Sequence, residues 1–244
     1  MSDTNALPPA SYGDDGMKRP RNKRGVIGGA LAAIAAALGK LKFLGVLASV
    51  LKLKTLVTMA LTIGVYAMAW GWKFALGFVL LIFVHEMGHA IAMRQKGVPA
   101  SAPVFIPFVG AVIAMRGMPR DAGVEAYVAL GGPILGSIGA WAVLAAGLQF
   151  QQPMLAALGH VGILLNLFNL IPVPPLDGGR IVGAFSPAFW VAGYSLGIAA
   201  VWFVRSPILI VVLALGLFSL YQRWRHPVPG YHDIPLGVRL AIGL

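Results

Sequence analysis

Two histidines and a glutamate, His85, Glu86 and His89, interrupt the run LLIFVHEMGHAIAM over residues 80–93, which is otherwise greasy enough to sit in a bilayer. On a helix, a spacing of four sends both imidazoles from one face about 6 Å apart along the axis, close enough to share one metal ion. Glu86 leaves from the adjacent face. This is the H-E-x-x-H arrangement, in which two neutral imidazoles hold zinc and the carboxylate takes a proton from a water that the metal activates. With five histidines, and with Glu86 and Glu125 as its glutamates, a chain of 244 residues would match this pattern by chance roughly once in a thousand. Ionisable groups in an apolar stretch are also expensive, and such groups mark sites.

A catalytic zinc takes three protein ligands and leaves a fourth position open, so a third ligand has to come from elsewhere. The chain has no cysteine, which restricts the choice to His, Asp or Glu. The remaining acids are Asp3, Asp14, Asp15, Asp121, Glu125, Asp177 and Asp233, and the remaining histidines are His160, His226 and His232. His160 falls near the opposite end of its span from the metal pair and is expected to pack between helices or meet water. Asp177 falls just past the inner end of the same span, within reach of the metal. It sits in NLIPVPPLDGGR, residues 169–180. Prolines there stop the helix, and Gly178 and Gly179 admit irregular backbone that can present an aspartate to a polar pocket.

The elements that must position these residues are apolar helices. At 58% hydrophobic and 11% charged residues, with a mean hydropathy of +0.81, the chain lies far from a soluble average of about 25% charged. An all-α polytopic membrane protein with about six transmembrane helices is expected, with spans over 55–72, 74–93, 126–148 and 154–171 and two more within 181–221, divided near Arg205. Residues 101–118 are apolar, rich in β-formers and broken by Pro103 and Pro107. A short re-entrant β-hairpin or loop suits them.

Four regions follow: a disordered basic cytoplasmic tail over 1–24, an interfacial or partly embedded helical segment over 25–54, a transmembrane domain over 55–222, and a cytoplasmic C-terminal tail over 223–244. The net charge of +11 does not signal nucleic acid, because the basic residues sit at the ends of apolar runs, as they do beside anionic lipid. Starting the first span from the inside leaves only Lys73 and Arg205 on the outer side. A multi-pass protein of the cell membrane with both termini cytoplasmic is the expectation.

Taken together, H-E-x-x-H at 85–89 and N-x-x-P-x-P-x-L-D-G at 169–178 closely resemble the site-2 protease family of intramembrane zinc metalloproteases. The resemblance covers about residues 74–180. It implies one zinc per chain held by His85, His89 and Asp177, Glu86 as general base, and Asn169 helping to hold substrate or the developing oxyanion. It also implies a transmembrane protein or peptide as substrate, met within the lipid bilayer. Gly131, Gly132 and Pro133 look like that family's glycine-proline element, and small residues also let helices approach closely. The region around 101–118 could offer a strand edge to an unwound substrate. Two other classes compete. A transporter with a buried His and Asp site would show two related halves, which the sequence lacks. A non-catalytic metal-binding scaffold of the same fold would not need His85, Glu86, His89 and Asp177 as a complete set.

Overall fold

The computed structural model describes residues 53–113, 115, 119–186, 188–205, 207–226 and 228–243. The expectations for 1–24 and for nearly all of 25–54 concern residues outside these. Apolar runs rich in Leu, Ala and Met make helices α1 (Leu53–Trp70) and α2 (Trp72–Gln95). They are parted only at Gly71, whose φ of 78° is a conformation that favours glycine. The two helices pack on each other around Met59, Tyr66, Ala75, Val79 and Ile82.

Strands β1 (Val104–Ile106) and β2 (Gly110–Val112) follow as a two-stranded antiparallel sheet in which Phe105 faces Ala111. Helix α1 holds this sheet with its own polar side chains. Thr55 Oγ1 donates to the Pro103 carbonyl at 2.8 Å, Thr58 Oγ1 accepts from Phe105 N–H at 3.2 Å, and Tyr66 OH accepts from Phe108 N–H at 2.9 Å. Polar groups at Thr55, Thr58 and Tyr66 thus satisfy backbone in β1 and on either side of it, which apolar side chains could not do.

Helix α3 (Ala122–Gln149) starts where the Asp121 side chain accepts from Val124 N–H at 2.8 Å, an N-cap that fixes its first turn. It packs against α2 on one side and α4 (Pro153–Asn169) on the other, and so forms the centre of the bundle. Pro153 opens α4, where the missing N–H costs nothing. The chain is then irregular over 170–176, enters the seven-residue helix α5 (Asp177–Gly183), and continues through α6 (Ala188–Val204) and α7 (Pro207–Arg225). Arg205 parts the last two.

Among the described residues, three helices, α1, α2 and α3, are long and apolar enough to cross a membrane, and α4 and residues Ala188–Phe203 of α6 are shorter apolar helices. Large side chains such as Ile138, Trp141, Leu164, Trp202 and Phe203 are exposed on the bundle, which suits lipid and not water. Two details differ from the sequence reading. Asp177 opens a short helix where irregular backbone was expected. The expected tail from 223 is in part packed structure: α7 runs to Arg225, α8 (Leu236–Gly243) contacts α3, and Tyr231 and Ile234 are buried with Ala122, Ala126 and Ala184. An aromatic and an aliphatic side chain gain by such burial, about 1.5 to 3 kcal/mol each.

Candidate metal centre

The i, i+4 spacing on α2 places the His85 and His89 rings with their Nε2 atoms 3.1 Å apart. Asp177, at the first residue of α5, brings Oδ2 to 3.2 Å from His85 Nε2 and 3.3 Å from His89 Nε2. All three side chains are buried. Among the described residues they form the one group of three or more His, Cys, Asp or Glu able to share a metal ion.

The hydrogen bonds on the far side of each ring fix the tautomers. His89 Nδ1 lies 2.8 Å from the Val128 carbonyl, which can only accept, so Nδ1 carries the proton. Asn166 donates its Nδ2 to the Gly162 carbonyl at 2.8 Å, which leaves its Oδ1 facing His85 Nδ1 at 2.9 Å. Here too the ring must donate. With each ring neutral, both Nε2 atoms present lone pairs to each other and to the Asp177 carboxylate.

Such a cluster is repulsive until a cation stands between its members. Asp177 Oδ2 is buried and has no hydrogen-bond partner, which is the condition of an atom meant for a metal. The separations also fit, because a tetrahedron with bonds of about 2.0 Å has edges of about 3.3 Å. Imidazole nitrogen and carboxylate oxygen are donors that zinc accepts.

Close helix packing makes room for the cluster. A Cβ at Gly132 on α3 would strike Nε2 and Cε1 of His89 and Nε2 of His85, and one at Gly88 on α2 would strike the Gly131 carbonyl. Glu86 is buried beside His85 on the same helix. Asn169 Nδ2 bonds its own helix at the Leu165 carbonyl, 3.1 Å away, and His160 is exposed and bonded to the Ala156 carbonyl. Asn166 has no place in the motif, yet it is the residue that orients His85. The one signal for it in the sequence is an amide within an apolar helix, three residues before Asn169.

The helical bundle has spans apolar enough for a membrane and brings the two histidines of H-E-x-x-H together with Asp177 in a buried cluster that could hold a metal ion. Residues 73–153 and 149–191 match the family model of peptidase family M50. Over that core the chain belongs to peptidase family M50, in keeping with the resemblance to site-2 proteases. Its relatives include Rip3 of Mycobacterium tuberculosis, 30% identical over 168 residues, and the zinc metalloprotease MJ0392 of Methanocaldococcus jannaschii, 30% identical over 156 residues. The matched parts cover 64% and 62% of this chain but 42% and 44% of those proteins, so the chain spans less than half of their length. Among solved structures it is similar to a site-2 protease from Methanocaldococcus jannaschii, with 20% identity and a TM-score of 0.43 over 74% of this chain and 88% of that one.

Proposed function

We propose that the chain is an intramembrane zinc metalloprotease that hydrolyses peptide bonds within or near transmembrane segments of membrane proteins. The observation that carries this reading is the convergence of two imidazole Nε2 atoms and a buried carboxylate oxygen, beside a buried glutamate. His85, His89 and Asp177 would hold the zinc, which when bound acidifies a water and polarises a carbonyl. Glu86 accepts the proton from the attacking water and returns it to the leaving amine, so one carboxylate serves as base and then as acid. Asn169 is the donor assigned to substrate or to the oxyanion that develops as the carbonyl is attacked. A substrate helix has its carbonyls tied up in hydrogen bonds and must unwind before cleavage. An unwound segment would pair with the sheet of β1 and β2, whose strands already present extended backbone.

The full arrangement is six spans with a re-entrant sheet, with the metal towards the cytoplasmic side and both termini in the cytoplasm. Arg180 and Arg223, counted as inner by their loops, meet at one buried carboxylate, which supports their lying at the same membrane face. Cleavage of a single-span peptide co-reconstituted in lipid vesicles tests the reaction. Wild type should cut it, a chelator should stop this, and Glu86→Gln should be slower by about 10²-fold or more. Undiminished cleavage by Glu86→Gln would remove the proposed base.

A further inference from the structure

Glu125 stands in the first turn of α3, buried, and is no part of the metal cluster. Three segments converge on its carboxylate. Arg180 Nε donates to Oε1 at 3.2 Å, Arg223 donates to Oε1 at 2.6 Å and to Oε2 at 3.2 Å, and Tyr231 OH donates to Oε2 at 2.6 Å. Two guanidinium groups and a phenol around one acid compensate its burial, as a buried charge requires. On these facts alone the cluster would be a clamp between distant parts of the chain.

Two further placements give it a more specific task. Arg180 follows Asp177 by three residues on α5, so both belong to one turn of a seven-residue helix. A helix this short does not hold its shape alone, and the direction of the Asp177 carboxylate depends on what grips α5. Trp190 Nε1 donates to the Gly179 carbonyl at 2.7 Å, and His232 Nδ1 lies 3.0 Å from the Gly183 carbonyl. The Arg180 contact is the side-chain grip among these that reaches α3. On α3, Glu125 precedes Val128 by three residues, and Val128 is the residue whose carbonyl orients His89. One turn of α3 is thus the shared reference for two ligands that come from different elements: His89 through Val128, and Asp177 through Glu125 and Arg180.

Resting on the reading that His85, His89 and Asp177 bind zinc, we infer that Glu125 is a positioning residue for the metal site. Through Arg180 it sets Asp177 at coordinating distance. Through Arg223 and Tyr231 it makes that setting depend on α7 and on the segment that follows. Tyr231 is itself anchored, since its carbonyl accepts from Ala122 N–H at 2.9 Å. Arg239 adds bonds to the Phe185 carbonyl at 3.3 Å and to the His232 carbonyl at 3.1 Å. The C-terminal residues thereby act as a strap over α5.

The test measures zinc affinity of the full chain in detergent by competition with a chromophoric chelator, together with the visible spectrum of the Co²⁺-loaded protein. Glu125→Gln and Arg180→Met should each weaken zinc by about 10-fold or more, the loss usual for groups that orient a ligand, and should alter the cobalt bands. Arg180→Lys should recover part of that loss, and Tyr231→Phe should show a smaller loss in the same direction. The milder pair keeps the test open if the other two do not fold. Affinities within twofold of wild type and unchanged cobalt bands, with only the melting temperature lowered, would make the clamp structural and overturn the inference. His85→Ala serves as the reference. If it loses zinc while Arg180→Met does not, the positioning role alone falls; if it binds zinc like wild type, the metal reading falls and this inference with it.

Discussion

Asn166 accepts a hydrogen bond from His85 through its Oδ1, 2.9 Å from Nδ1, while its own amide nitrogen is bound to the Gly162 carbonyl. That pair of bonds fixes which imidazole nitrogen faces the metal. Asn166→Leu removes the acceptor and frees the ring to rotate or change tautomer, so zinc affinity should fall about 10- to 100-fold. Asn166→Asp keeps an acceptor and should lose much less. Chelator competition on both proteins checks the difference, and equal affinities would mean that His85 is oriented by something else.

Gly132 lies against both imidazoles, where an added methyl would overlap His89 Nε2 and His85 Nε2. Gly132→Ala should therefore displace the ligands and weaken zinc by more than about 10-fold, while overpacking costs the fold about 1 to 3 kcal/mol. Zinc affinity read beside a thermal melt separates the two effects. A methyl at Gly64, which has open space around it within α1, should leave zinc affinity as in wild type and raise the melting temperature slightly, since alanine is the better helix former.

How far the sequence carried the picture depended on the separation of the interacting residues. His85 and His89 lie on one helix face through a local spacing, and Asp177 could be placed beside them because it follows the helix that brings the chain back. The sequence does not signal helix α5, since Gly178 and Gly179 are poor helix formers and the close packing of both against the backbone of residues 170–174 is a tertiary contact. The sequence does not single out Asn166, because an amide inside a helix has many possible partners, whereas Asn169 stands in a motif. In the sequence Glu125 is only one of a few acids, and Arg180 and Arg223 are only basic residues at the ends of apolar runs. Their contacts span 55 and 98 residues, which no periodicity reports. For the same reason nothing in the sequence around Tyr231 signals that it packs against α3.

Tyr66 and Thr58 hold the sheet to α1 through the Phe108 and Phe105 N–H groups. Removing either acceptor should loosen the sheet by about 1 kcal/mol, or roughly fivefold in an equilibrium that needs it ordered. If substrate pairs with the sheet, Tyr66→Phe and Thr58→Val should raise KM severalfold and leave zinc affinity as in wild type. Steady-state cleavage of the single-span peptide, with zinc affinity measured on the same preparations, decides this. A fall in zinc affinity would show that the sheet supports the metal site instead.

The metal content of the purified chain tests most directly whether His85, His89 and Asp177 act as one site. Elemental analysis after dialysis should find about one zinc per chain in the wild type and in Glu86→Gln, since the base is not a ligand, and far less in His85→Ala and Asp177→Ala. Zinc retained equally by all four proteins, or absent from the wild type when offered in excess, would contradict the account.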